Sequence, residues 1–130
     1  MMICDANIIL RYLLEDIPEL SDKAANFIEK EQIFIPFEVV AEVVYVLEKV
    51  YSIQRKEFSE TLIDMINYPN IETLDKKVLE YALNLFSQTK TDFVDTLLCG
   101  YVYVQNEDVI TFDYKLSNRI KRIKEMTGKM

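Results

Sequence analysis

The sequence contains no histidine, only two cysteines and only two glycines. Without histidine, Ser-His-Asp and Cys-His catalysis are excluded, together with every zinc site that needs imidazole ligands. Two cysteines cannot form a four-cysteine zinc site. Gly100 and Gly128 lie outside the predicted strand-to-helix turns, so the sequence predicts neither a dinucleotide-binding glycine loop nor a P-loop. Catalysis is left to carboxylates, lysines, tyrosines and hydroxyls, and oxygen ligands of this kind suit Mg²⁺ or Mn²⁺.

Long apolar runs and a basic, apolar leader are also missing. The longest apolar runs are short and interrupted by charge, so no transmembrane helix and no signal peptide are predicted. Two thiols are too few for a disulfide scaffold, which favours a reducing, cytoplasmic location. At 130 residues, half of them apolar, the chain is expected to form one domain with a real core.

The net charge of −7 is unevenly distributed. The segment 115–130 carries six basic residues and one acid, a balance of +5, and the remainder carries nine basic and 21 acidic residues, a balance of −12. Basic tails often contact nucleic acid, although such a run can also be a solvated helix face.

Short apolar segments alternate with amphipathic ones along the chain. Strands are predicted over residues 1–4, 33–35, 71–74 and 109–111. Helices are predicted over residues 7–14, 22–31, 37–50, 56–66, 76–87 and 93–105, and from 114 onward. Pro18 is expected to stop the first helix, Ser21 to cap the second and Pro36 to occupy the first turn of the third. This alternation predicts an α/β fold with a parallel sheet covered by helices on both faces.

Several acids occupy positions suited to one shared site. Asp5 follows the first predicted strand and Asp113 follows the fourth, and open α/β sheets place their ligands at the carboxyl ends of strands. Asp92 and Asp95 lie three residues apart at the start of a helix and therefore share a face. Glu42 lies beside an apolar helical stripe and could point over the same edge. Acids that converge repel each other unless cations neutralise them, so the pattern predicts a divalent metal site.

Each acid also has a structural interpretation. Asp92 and Asp95 could cap a helix and complement its dipole, an explanation that is weaker for Asp95 because the preceding residues already fill the cap. Glu42 could face solvent or pair with a lysine, and Glu38 competes with it one turn earlier. Asp113 could be an ordinary turn residue.

Four motifs together resemble the PIN-domain ribonucleases, most closely the small VapC-type toxins of toxin–antitoxin pairs. They occur in the order and at the separations usual for that family, and they cover nearly the whole chain: residues 5–10, 41–47, 92–98 and 111–113. The resemblance implies a PIN-like three-layer α/β/α fold with a short-stranded parallel sheet, and we expect a single domain over residues 1–130 that ends in the basic segment 115–130. One departure is that such domains usually finish with another short strand, whereas residues 120–126 are predicted to be helical.

The resemblance also implies roles for individual residues. The catalytic acids would be Asp5, Glu42, Asp95 and Asp113, with Asp5, Asp95 and Asp113 holding Mg²⁺ or Mn²⁺ and Glu42 acting directly or through water. Three further residues would support them: Asn7, Asp92 and Thr111.

The implied activity is metal-dependent hydrolysis of single-stranded RNA. Arg11 and the basic tail would attract the substrate. Proteins of this type are held inactive by an antitoxin and commonly form homodimers. The surfaces with Ile9, Leu13, Val40 and Val44 could serve either purpose, unless these residues simply pack on the sheet.

Other functions remain open from the residues alone. A non-catalytic PIN-like scaffold that binds RNA or protein would need a broken acidic quartet, and a housekeeping RNA-processing nuclease would share the same residues. An aspartyl-phosphate phosphatase is disfavoured because Asn7, rather than an aspartate, follows Asp5 at two residues. A phosphoacceptor domain would need a late lysine where Asp113 stands.

Overall fold

A computed structural model describes residues 1–128. Its contacts group the chain into two compact units, Met1–Lys76 (the first unit) and the segment from Lys77 onward (the second unit). Lys129, a member of the basic segment, lies outside the described residues. The single-domain organisation inferred from the sequence stays a prediction.

The first unit contains a parallel sheet of three two-residue strands in the order β1 (Met2–Ile3), β2 (Ile33–Phe34) and β3 (Ile71–Glu72). In register, Met2 lies beside Ile33, which lies beside Ile71. The ladder continues just beyond the strand ends, where Cys4 N donates to Phe34 O at 3.0 Å and Ile35 N donates to Glu72 O at 2.8 Å. All three carboxyl ends therefore meet at one edge of the sheet.

Four helices complete the first unit. They are α1 (Ala6–Leu14), α2 (Pro18–Lys30), α3 (Phe37–Tyr45), which continues into a π-helical turn at Val46–Val50, and α4 (Arg55–Ile66). In α3 and its π turn, apolar residues three and four positions apart form one stripe, and all are buried: Val40, Val43, Val44 and Leu47. This packing places α3 against α1, the helix that follows Asp5.

The second unit contains three helices: α5 (Lys76–Gln88), which begins at the last residue of the first unit, α6 (Phe93–Gln105) and α7 (Tyr114–Thr127). Helices α6 and α7 pack through a buried cluster of Cys99, Val102, Leu116, Ile120 and Ile123. Gly100 allows α6 to approach α5 closely, because a Cβ atom at this position would lie 2.8 Å from the carbonyl oxygen of Val78.

The predicted α/β/α class with a short-stranded parallel sheet is confirmed. One predicted strand is wrong, because residues 109–111 form no ladder within the described chain. Their apolar composition suggested a strand buried on both faces. In the structure, Ile110 and the neighbouring Phe112 are fully exposed, at 100% and 108% relative exposure. Asp113 therefore follows an irregular segment.

The second helix also begins earlier than predicted. Pro18 is the first residue of α2, where its missing N–H costs no hydrogen bond. Ser21 is consequently a helix-interior residue, and its buried hydroxyl donates to Arg11 O at 2.9 Å. Among residues 1–128, no helix is both long enough and apolar enough to cross a membrane.

Candidate active site

Asp5 occupies the turn between β1 and α1, at the carboxyl edge of the sheet. It is the N-cap residue of α1, with extended backbone angles, and its Oδ1 accepts a hydrogen bond from Ala6 N at 2.8 Å. The carboxylate is exposed, as is Asn7 in the first turn of α1. Burial, and then the charge of Asp5, raises the pKa of the adjacent Cys4 to about 11. The thiol therefore stays protonated near neutral pH.

Glu42 lies on the exposed side of α3, while its neighbours Val43 and Val44 are buried. Glu38, its competitor one turn earlier, is also exposed. Both carboxylates are therefore accessible to a ligand, and their exposure does not show which of the two belongs to the site. The assignment of Glu42 therefore still depends on the motif around it.

Asp92 and Asp95 stand at the start of α6, as the sequence predicts. Asp92 is the N-cap residue, and its backbone oxygen accepts from Thr96 N at 3.0 Å, but its side chain makes no capping hydrogen bond. Asp95 is partly buried in the first turn. The Asp92 carboxylate therefore does not cap α6 and is available to bind a ligand.

Asp113 is the N-cap residue of α7, a structural role that the sequence analysis did not assign to it. Its Oδ1 accepts a hydrogen bond from Leu116 N at 2.9 Å. Thr111 fixes the preceding turn, because its Oγ accepts from Asp113 N at 2.9 Å. Capping uses one carboxylate oxygen, and the exposed side chain presents the other to solvent.

Among the candidate acids of the second unit, Asp95 is affected by the charges of Asp92 and Asp113. Burial raises the pKa of Asp95 above its ordinary value, and the charges of Asp92 and then Asp113 raise it further. Asp92 and Asp113 also line the same cleft as Asp95. A cation placed among them would relieve the repulsion.

A cleft of about 580 Å³ opens beside these carboxylates. It is lined by the three acids and by four cations: Lys90, Lys115, Arg119 and Arg122. Tyr114 and Asn118 also line it. The sequence marked the C-terminal segment as basic, but it did not separate the cations that face the acids from those that do not, and it missed Lys90.

The oxygen donors present have the chemistry that Mg²⁺ and Mn²⁺ prefer. Within residues 1–128, however, no three acids or thiols stand close enough to complete a metal-binding cluster. Asp5 and Glu42 belong to the first unit and the other three acids to the second. The structure brings together Asp92, Asp95 and Asp113, and the convergence of the full quartet stays a prediction.

Arg11, the predicted substrate contact, lies on α1 and is engaged locally. Its guanidinium donates to both oxygens of Asp16, at 2.9 and 3.0 Å, and to the hydroxyl of Tyr51 at 3.4 Å. An RNA phosphate would therefore compete with Asp16 for this side chain. The substrate role of Arg11 stays a prediction.

Comparison of the chain with models of protein families matches residues 2–122 to the PIN domain. No curated protein matches the chain, and no solved structure matches it. The matched range includes every candidate acid described above.

Proposed function

The chain belongs to the PIN-domain family, and on that premise we propose that it is an endoribonuclease that hydrolyses single-stranded RNA with Mg²⁺ or Mn²⁺. PIN domains are generally nucleases that use divalent metal ions. For this chain we propose the preference for RNA, the use of Mg²⁺ or Mn²⁺, and the roles of the individual residues.

The observation that carries the proposal is that Asp92, Asp95 and Asp113 line one cleft together with four cations, where burial and the charges of the other two acids raise the pKa of Asp95. Structural acids gain stability from a cap or an ion pair, whereas Asp95 is held where its ionisation is disfavoured. Such an arrangement is expected where a cation completes the site.

In this proposal Asp5, Asp95 and Asp113 hold the metal, and Glu42 contributes directly or through water. The ion, when bound, lowers the pKa of a water molecule and stabilises negative charge on the phosphate oxygens. Asp113 or Glu42 would orient the attacking water and accept its proton as the water oxygen forms a bond to phosphorus, while the bond to the leaving oxygen breaks and that oxygen takes up a proton from solvent.

In the same proposal, Thr111, Asn7 and Asp92 support these carboxylates. Thr111 fixes the backbone of Asp113 through the 2.9 Å hydrogen bond, and Asn7 lies in the first turn of the helix that Asp5 caps. The charge of Asp92 disfavours the ionised form of Asp95 in the absence of a metal. A bound cation would relieve this repulsion, which would favour metal binding.

The biological role we propose is that of the toxin in a cytoplasmic toxin–antitoxin pair that forms homodimers. Ile9, Val40 and Val44 are core residues with at most 2% exposure, so they offer little surface to a partner. A groove on α1 and α2 with the exposed Leu20 and Phe27 offers apolar area instead. A small DNA-binding protein encoded by the adjacent gene would separate a toxin from a housekeeping nuclease.

The decisive test is cleavage of defined, unstructured RNAs with Mg²⁺, with Mn²⁺ and with EDTA. We expect cleavage only with metal, and a loss of about 100-fold or more in Asp95→Asn and in Asp5→Asn. Asp64→Asn, an exposed carboxylate of α4, is the matched control and should cleave normally. Cleavage that persists in EDTA or in both variants would refute the mechanism.

A non-catalytic PIN-like scaffold is the second candidate, and the lack of a ready three-ligand cluster within residues 1–128 favours it. A scaffold would bind RNA or a partner protein equally well with and without Mn²⁺. It would also show no RNA cleavage at any metal concentration.

A further inference from the structure

Helix α7 presents two adjacent stripes with different chemistry. Leu116, Ile120 and Ile123 form the buried apolar stripe that packs on α6. Lys115, Arg119 and Arg122 repeat at the same helical spacing, one residue before each apolar residue, and therefore form a neighbouring stripe about 100° away. All three line the cleft beside the acids, and we refer to them as the α7 basic stripe.

The basic stripe is not neutralised by local ion pairs. Within residues 1–128, neither its three members nor Lys90 approaches a carboxylate within 4.0 Å. Lys124, on another face of the same helix, does pair with Asp108. The cleft therefore holds four cations against three acids and keeps its positive charge available to an anionic ligand.

Arg119 is the best anchored of these cations. It is partly buried, and it lines the cleft together with Asp92 and Asp95 at the start of α6. An arginine held near a packed helix loses less side-chain freedom on binding than a fully solvated lysine. Its planar fork also matches two oxygens of a phosphate.

Tyr114 adds an aromatic surface at the rim of the same cleft. Its side chain is 78% exposed, directly after Asp113, and it lines the cleft together with Lys115. Exposed aromatic rings beside cations are the combination that binds single strands, because unpaired bases stack on the ring while the cations contact the backbone. Bases in a duplex already stack on each other and offer no free face.

We infer that the α7 basic stripe binds the backbone phosphates of a single-stranded RNA and that Tyr114 stacks against one of its bases. This inference rests on the proposed function for the identity of the strand as substrate. The acids occupy the same cleft, so the stripe would hold the strand with a phosphodiester bond next to Asp95.

The test is RNA binding without cleavage. The probe is a fluorescent, unstructured RNA of about twelve nucleotides, titrated in EDTA at several salt concentrations and followed by anisotropy. Lys115→Gln is compared with Lys121→Gln, which removes the same charge from the same helix at an exposed position outside the cleft.

We expect Lys115→Gln, Arg119→Gln and Arg122→Gln each to weaken binding by about fivefold or more. Each should also make the plot of log affinity against log salt shallower by about 0.7, the value for one lost phosphate contact to a single strand. Lys121→Gln should lower affinity by less than about twofold and leave that slope unchanged. Arg119→Lys should recover part of the affinity lost in Arg119→Gln, and thermal melting of each variant shows whether it is folded.

The tyrosine is tested by a second pair of variants. Tyr114→Phe retains the ring and should bind normally, whereas Tyr114→Leu should bind about fivefold or more weakly. A duplex of the same sequence should also bind more weakly than the single strand.

The outcomes separate this inference from the proposed function. Binding that follows the stripe without any cleavage in Mn²⁺ would overturn the nuclease proposal and leave the inference standing. Equal binding by Lys115→Gln and Lys121→Gln, or no binding by the unaltered protein, would overturn the inference even if the protein cleaves RNA.

Discussion

Among single residues, Asp95 occupies a position in the folded chain that disfavours its ionised form. Burial and two neighbouring carboxylates raise the pKa of Asp95, so its ionised form is less stable in the folded chain than in water. A helix-stabilising acid would show the opposite shift. This local cost is typical of residues selected for binding or catalysis.

The shift predicts how stability depends on pH in the absence of metal. A carboxyl group with a higher pKa in the folded chain binds protons more tightly when folded, so stability falls as the pH rises from about 3.8 through the folded-state pKa. Asp95→Asn should therefore be more stable than the unaltered protein at pH 7, by a small amount because Asp95 is only partly buried and solvent screens the repulsion. The two proteins should converge near pH 3.

Urea unfolding in EDTA at both pH values checks this expectation. Asp64→Asn, the exposed control in α4, should show no comparable gain at pH 7. A destabilised Asp95→Asn would mean that the Asp95 carboxylate has a stabilising partner.

At the scale of the element, α7 combines a capping role with a catalytic candidate. Asp113 accepts the hydrogen bond from Leu116 N, and asparagine can accept the same bond. We expect Asp113→Asn to keep the stability of the protein and lose RNA cleavage. Asp113→Ala should lose cleavage and also about 1 kcal/mol of stability.

Thermal melting and cleavage assays on both variants distinguish the two roles. Normal cleavage by Asp113→Asn would show that Asp113 serves only as a cap. Equal stability of the two variants would show that the cap contributes little to the folded state.

The contact between α5 and α6 gives a second prediction at this scale. Gly100→Ala would place a Cβ atom 2.8 Å from the Val78 carbonyl oxygen and 3.1 Å from its Cγ1, so the two helices must move apart. Although alanine favours helix, we expect a net loss of about 1–2 kcal/mol from this overpacking. Chemical denaturation measures the loss, with Asn84→Ala, an exposed position of α5, as the control. A stabilised Gly100→Ala would show that the contact can relax.

At the scale of the whole molecule, metal binding should stabilise the folded chain. Because the unfolded chain lacks an assembled site, Mn²⁺ at about 100 times its dissociation constant should add about 2.7 kcal/mol to the free energy of unfolding. The melting temperature should rise by several degrees in the unaltered protein and much less in Asp95→Asn. A scaffold without a metal site would show the same melting temperature with Mn²⁺ and with EDTA.

Much of the fold follows from local sequence patterns. The helix over Phe93–Gln105 was predicted to the residue, and the first three strands were predicted in the right places, because apolar periodicity and capping residues are local signals. The strand predicted over residues 109–111 was wrong because that prediction also used only a local signal. An apolar composition gives a segment the ability to pair, but pairing requires a partner strand that the local sequence does not specify.

The sequence by itself determined which side chains are available for chemistry. The lack of histidine and of glycine-rich loops, together with acids in four PIN-like motifs, predicted a site of oxygen ligands for a hard cation. Only the tertiary structure decided which of these groups meet. It brought Asp92, Asp95 and Asp113 into electrostatic contact, used Asp113 as a cap, buried Ile9 and Val40, and turned one stripe of α7 toward the acids. The reason is physical: residue type and helical period are properties of the chain, whereas proximity between distant residues depends on how the helices pack.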